Sequence, residues 1–317
     1  DPELSRGLGD VYKRQDLTIS RLGSDSYRVV TGGADGNRDW VTLRNYRDDN
    51  GLNADINIRT HDIATIGLWG PKAANALGNF IDPNDIDIKN FPFVTAKNLT
   101  LNLSGEKKVD VWAARISYVG ESGWEIYFNN DKDDGLALYD SLLEVGVIPV
   151  GIETYANSRR LEKCFRLQGA DLETEYNAIE AAIQRPLVKE ADFHGKFAHL
   201  AHRKEDPCAI LCTMTLDDLN VSGKTRYPVG ISPIIDPATG EVPIDSKGRR
   251  SYTTGMSYCP SIKKFVVMGY LPKQIAFKGK SLLIEYFNED GDGLYPMTVQ
   301  IVGKGSLYDP KNERVRS

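Results

Sequence analysis

The stretch RISYVGESGWEIYF, Arg115 to Phe128, puts a carboxylate where a half-buried strand is expected. Two apolar, aromatic-rich runs flank the turn-like Gly120-Glu121-Ser122-Gly123, which reads as a β-hairpin. Strand neighbours alternate, so Glu125 shares a face with Tyr127 and opposes Trp124 and Ile126. Two readings stay open on the residues alone. The commoner is a solvent-facing Glu on an amphipathic strand. The sharper is a carboxylate in a pocket, where it accepts two parallel N–H bonds from a planar donor pair, as it does from Arg. Arg160, in SRRLEKCF, poses the same choice between a helix-surface ion pair with Glu162 or Glu153 and a binding role. Asp16, alone, is an ordinary residue at the start of a strand.

Other chemistry is poorly supported. His199, His202, Cys208 and Cys212 are zinc-ligand types. The two cysteines lie in the strand-like CAILC run, where Cys is usually a small buried hydrophobe, so no metal site is expected. NEDGDG and GADGN lack the Glu that closes an EF-hand loop. The chain has no G-x-x-x-x-G-K-[ST], no strand-linked G-x-G-x-x-G and no G-x-S-x-G, so no nucleotide or FAD site of its own is expected.

The elements that must position these residues are legible in part. DLTISRLGSDSYRVVTGG reads as strand, turn, strand, and the run from Asn37 to Asp48 as an amphipathic helix. Ala54 to Gly70 reads as two short strands, and Gly70-Pro71 opens a helix. Helices are expected over Asp133 to Val145 and Glu153 to Phe165. Beyond about Asp206, runs such as KFVVMGYL, SLLIEYF and MTVQIVG, separated by Gly, Pro and Asp, point to a small barrel or sandwich. A boundary is therefore expected near residue 205.

The 317 residues fit two domains. A net charge of -5 argues against a nucleic-acid surface, and no apolar run approaches the ~18 residues of a membrane helix. Four cysteines without framework spacing favour a reducing compartment. The opening DPELSRGLGDVYKRQ has no periodicity and resembles translated adapter sequence. Residues 1–15 are expected to be a non-native leader, and the chain the C-terminal part of a longer protein.

Taken in order, DLTISRL, IGLWGPKA, FPFVTAKN, RISYVGESGWEIY, SRRLEKCFRLQGADLETEYNAIEA and ADFHGK resemble the aminomethyltransferase (glycine-cleavage T-protein) family. With TTGMSYCPSIKKFVVMGYLP and the final LYDPKNERVRS, the chain is most similar to the folate-binding C-terminal half of FAD-dependent dimethylglycine and sarcosine dehydrogenases. The resemblance implies an α+β fold: a T-protein-type folate-binding domain (16–205) followed by a small C-terminal antiparallel β-barrel domain (206–317). It implies tetrahydrofolate as cofactor, with FAD only in a missing N-terminal half. Glu125 would hold the pterin edge, whose exocyclic amine lies beside a ring N–H. Tyr118 would line the same pocket. Arg160 matches the family's Arg near folate, and Thr31 sits at a strand end that contacts it. Asp16 would be the catalytic Asp.

The implied reaction captures a one-carbon unit, made as an iminium or formaldehyde at the separate FAD site, to give 5,10-methylenetetrahydrofolate. The implied partners are folate, a methylated amine-derived one-carbon unit and an oxidoreductase domain in the same native chain. No nucleic acid or membrane is expected. The location would be cytoplasmic, or the mitochondrial matrix in a eukaryote. A stand-alone aminomethyltransferase is the alternative, as is a folate-binding module without transfer chemistry. For the latter, the iron–sulfur relatives' KGCYxGQE is not matched by KCFRLQG at Lys163 to Gly169. The family's glycines before Asp16 are absent, and Cys164 replaces a usual Gly. These departures bear on catalysis more than on fold.

Overall fold

Alternation of apolar and polar residues sets the sheets of the computed structural model, which describes residues 4–6, 17–130, 132–184, 186–216, 230–288 and 291–316. The chain divides after residue 150 into two units, and the C-terminal residues 312–316 return to the first. Position 205 lies inside the second unit, between helix Lys196–His202 and strand Ala209–Leu216.

In the first unit, β1 (Leu4–Arg6), β2 (Leu17–Arg21) and β3 (Tyr27–Thr31) form an antiparallel sheet. Helix α1 (Gly36–Asp49) follows. A second sheet has the order β4 (Ile63–Trp69), β7 (Gly123–Asn129), β6 (Lys108–Ala114), β5 (Ala96–Asn102) and is antiparallel throughout. Its inner face carries Leu68, Val111, Ala113, Trp124, Ile126 and Phe128. Short helices α2 (Ala73–Leu77) and α3 (Pro83–Ile86) contribute Leu77 and Ile86 to that core, and α4 (Lys132–Glu144) contributes Leu138 and Leu142. Burying a side chain of this size stabilises the fold by roughly 1.5–3 kcal/mol. The outer face carries Ala96, Trp112, Ala114 and Tyr127, against which Val30 of β3 packs.

Two expectations change here. Residues 54–59 form no strand, and β4 starts only at Ile63. Nor are Arg115 to Tyr118 the first arm of the hairpin. The β6–β7 ladder ends at Ala114↔Glu125, and 115–122 is a loop. Arg115 explains the difference. Its buried guanidinium donates to the Ile86 carbonyl (2.9 Å), the Phe91 carbonyl (3.0 Å) and Ser122 Oγ (3.2 Å), and lies 4.9 Å from the Trp124 ring centroid. Satisfying a buried cation outweighs two more ladder bonds.

The second unit begins with the expected helix, unbroken over residues 152–162 but π-wound at Thr154–Arg159 before it runs into α5 (Arg160–Glu162). After α6 (Lys196–His202) come β8 (Ala209–Leu216), β9 (Ile234–Ile235), β10 (Thr253–Cys259), β11 (Lys264–Pro272), β12 (Ser281–Asn288) and β13 (Gly291–Val302). They form one curled antiparallel sheet ordered β10-β11-β8-β13-β12-β9. A bridge between Pro233 and Tyr252, with Ile234 N–H donating to the Ser251 carbonyl, brings the two edge strands together. This is the expected barrel-type domain, a sheet curled into a half-barrel. Its interior holds Cys212, Met214, Leu216, Val267, Leu282 and Val299. Gly269 also faces in: a Cβ there would lie 2.7 Å from the Tyr252 carbonyl. Outward-facing Leu211, Val266, Met268 and Tyr270 are covered by Leu161, Leu172 and Tyr176.

Candidate functional site

Glu125 lies mid-strand on the outer face of the first unit's larger sheet and is half-buried. Its ladder partners are Gly67 on β4 and Ala114 on β6, and Ala114 pairs in turn with Ala96 on β5. The carboxylate is thus the one long side chain in a row of small residues, with Ala96 and Ala114 buried in the cluster around Trp112 and Tyr127. The adjacent row is Thr65, Tyr127, Trp112, Asn98. Tyr127 donates its hydroxyl to Glu125 Oε2, and its ring meets Trp112 at 5.2 Å and 59°. That bond helps to fix the plane of the carboxylate.

Trp69 borders the other side. A Cβ on Gly67 would come within 2.0 Å of the Trp69 ring, so the indole leans over this glycine. Its Nε1 donates to the Ile116 carbonyl at 2.8 Å, tying β4 to the 115–122 loop that carries Tyr118. Glu121 in that loop is buried and faces Arg314 at 3.8 Å.

The remaining predicted residues divide by unit. Tyr118 is half-buried and Thr31 ends β3, both in the unit of Glu125. Thr31 Oγ1 donates to Asp39, which is buried on α1, and so joins β3 to that helix. Arg160 belongs to the second unit and is 1% exposed. It is no surface pair: Nε donates to the Ala156 carbonyl at 2.7 Å, Nη1 to the Phe165 carbonyl at 3.0 Å, and the guanidinium pairs with Asp171. Its neighbour Arg159 makes the pair with Glu162, at 2.6 Å. Asp16 lies outside the described residues.

Sequence reasoning passed over Tyr127, Gly67 and Ala114. Tyr127 was visible two residues from Glu125. The small neighbours were not, because cross-strand register is needed to bring Gly67 and Ala114 beside it. Among the described residues, no cluster of His, Cys, Asp and Glu has metal-holding geometry. Cys212 is buried in the barrel interior, where desolvation pushes its thiol up to about 12.

A family model described as the GCVT N-terminal domain matches residues 10–190, more than half of the chain. This chain belongs to that family. The chain is 28% identical to human "Dimethylglycine dehydrogenase, mitochondrial" over 306 residues, covering 92% of this chain and 31% of that protein. It is 29% identical to the aminomethyltransferase of Symbiobacterium thermophilum over 264 residues, covering 81% of this chain and 64% of that protein. The chain therefore spans less than a third of the dehydrogenase and about two thirds of the aminomethyltransferase it matches. Glycine cleavage system aminomethyltransferase T from Bartonella henselae shares the fold, with a TM-score of 0.71 at 21% identity, over 95% of this chain and 75% of that one. The expected family and the α+β aminomethyltransferase-type fold are thereby established.

Proposed function

We propose that this chain is the tetrahydrofolate-binding, one-carbon-transfer region of a demethylating enzyme similar to dimethylglycine and sarcosine dehydrogenases. The observation that carries the reading is Glu125, a half-buried carboxylate bonded by Tyr127 with Gly67 and Ala114 as its cross-strand neighbours. A half-buried carboxylate bonded by Tyr127 suits a planar edge with two adjacent N–H groups, such as that of a pterin. Alignment to dimethylglycine dehydrogenase over 92% of this chain supports the dehydrogenase-like assignment.

Tetrahydrofolate, when bound, supplies the amine nitrogens that take up the one-carbon unit. Glu125 binds and orients, with Tyr127 holding its carboxylate in plane. Tyr118 and Thr31 belong to the same proposed site. Trp112 and Trp69 flank Glu125 and shield it from water, which matters when a reactive electrophile must be captured. Asp16 is the proposed proton acceptor. Arg160 serves through the architecture of the second unit. Oxidation of the amine is assigned to a separate FAD-bearing segment of the native chain, in the cytoplasm or mitochondrial matrix.

Calorimetric titration with tetrahydrofolate tests the assignment. Glu125→Ala should weaken binding by about 1–3 kcal/mol, through loss of a charge-assisted pair. Equal affinity in the variant, or no binding by the parent chain, would sink it. A second reading, a stand-alone aminomethyltransferase, is favoured by the 64% coverage of the Symbiobacterium protein. It predicts transfer from an aminomethylated carrier protein, whereas the first predicts capture of free formaldehyde.

A further inference from the structure

Four residues along β7 from Glu125, the same outer sheet face changes character. A cavity of about 470 Å³ there is lined by Arg28, Arg59, Asn98, Trp112, Tyr127 and Asn129, among others, all within the first unit. Arg28 reaches in from β3. Its guanidinium carbon lies 4.2 Å from the Trp112 ring centroid and 5.8 Å from that of Tyr127. It makes no hydrogen bond or ion pair with any described residue, and its Nη1 is buried without a partner. A part-buried cation held only by aromatic faces is costly, and such a group calls for an ion or ligand. Burial draws the Arg28 pKa down; Tyr127 opposes this, and the charge of Arg59 adds a smaller push downward.

Two like charges converging on one cavity disfavour each other unless an anion sits between them. Arg59 can take part. Its pair with Asp62, at 2.6 Å, joins two side chains that are more than half exposed, and such a pair contributes little. Asp110 also lines the cavity, but accepts from Thr100 Oγ1 at 2.6 Å. Asn98 and Asn129 add amide donors, and the Trp112 ring gives a flat wall. We propose that this cavity is an anion site, built to take a carboxylate or phosphate group through Arg28 and Arg59. The site does not depend on Glu125 binding a pterin. The acid could be the tail of a folate reaching along the sheet or a separate small molecule, and the chemistry of capture is the same.

Titration of the full chain with glutarate and with inorganic phosphate, followed by calorimetry at low salt, tests the site. At least one probe should bind, weakening several-fold between 50 and 200 mM salt. Arg28→Gln should weaken it at least tenfold and Arg59→Gln three- to tenfold. Failure of both probes to bind, or Arg59→Gln binding as tightly as the parent, would overturn the proposal. Arg59 is exposed enough that its variant tests the site even if Arg28→Gln does not fold. Tetrahydrofolate triglutamate against monoglutamate then separates the sources. A triglutamate advantage abolished by Arg28→Gln assigns the site to the folate tail. No advantage, with glutarate or phosphate still bound, assigns it to a separate acid.

Discussion

Replacing Arg160 by Met separates a structural from a ligand-contacting role for the family's motif Arg. The side chain is 1% exposed, and Asp171 is fully buried. Asp171 also accepts from Leu167 N–H at 2.9 Å and from Thr254 Oγ1, and its carbonyl accepts from Tyr270 Oη at 2.7 Å. Gly255 leaves room for the guanidinium: a Cβ there would come within 2.6 Å of Nη2. Met keeps the volume and removes the charge and donors. Asp171 then remains buried without its cation, and the Ala156 and Phe165 carbonyls each lose a donor. Breaking a buried pair from one side costs about 3–5 kcal/mol, with the lost carbonyl bonds overlapping that figure rather than adding to it. The double variant Arg160→Met/Asp171→Asn should regain much of the loss, since the orphaned charge is its main source.

The readout must resolve the two units. All four tryptophans, Trp40, Trp69, Trp112 and Trp124, lie in the first unit, so their fluorescence does not report directly on the second. Hydrogen exchange read by mass spectrometry does. Peptides from Thr253–Cys259 and from 165–172 should lose protection in Arg160→Met and recover it in the double variant. If protection there is unchanged while tetrahydrofolate affinity falls tenfold or more, Arg160 is a ligand contact and the structural reasoning is wrong.

Other outcomes follow from the same packing. Burial alone would raise the carboxyls of Glu180 and Asp245, but bonds from Arg249 hold both below their ordinary range. Their contribution to stability is full above the unfolded values near pH 4 and is lost as pH falls through the lowered folded values. The melting temperature of the second unit should fall between pH 5 and 3. In Arg249→Met that slope should reverse, and an unchanged slope would refute the assignment. Gly67→Ala drives a methyl into the Trp69 ring and should cost roughly 2–4 kcal/mol, the sum of overpacking and the lost indole bond to Ile116. Urea titration checks this, and a loss under 0.5 kcal/mol would show that the ring swings clear. Lys163, buried, donates to the Asp309 carbonyl at 2.7 Å and the Tyr308 carbonyl at 3.1 Å. Lys163→Met should expose the segment from Leu307 to Lys311 to proteolysis at least tenfold faster, and unchanged cleavage would refute the clamp.

The sheets were legible wherever apolar and polar residues alternate on a strand with one wet face. Leu17 to Thr31 and the barrel strands fall where their pattern puts them. The hairpin arm at Arg115 was misread because Ile116, Tyr118 and Val119 look like strand residues, while the buried guanidinium at the start of the loop decides the path. Local pattern carries no information about a carbonyl 29 residues upstream. The same limit hid the fate of Arg160, whose partner Asp171 lies 11 residues away on an irregular segment. Asp171 and Thr254 meet only once the barrel has formed.

The outer face of the first unit's sheet joins these threads. Along β7, Glu125 and Asn129 are four residues apart, roughly 13 Å at strand rise. At one end stands a carboxylate with small neighbours, and at the other two guanidiniums with amides. Between them Tyr127 and Trp112 form an aromatic row that serves both, since Tyr127 bonds Glu125 and Trp112 backs Arg28. A molecule lying along this face would meet an acceptor at one end and donors at the other, so its direction would be set by charge rather than by shape. Reversing it would put like charges together at both ends, a penalty of the kind that fixes register at interfaces. Exchanging the two ends, with Glu125→Arg and Arg28→Glu in one chain, should therefore abolish tetrahydrofolate binding even though net charge is conserved. Retained affinity would refute the pterin contact at Glu125 as well as the placing of one ligand along this face.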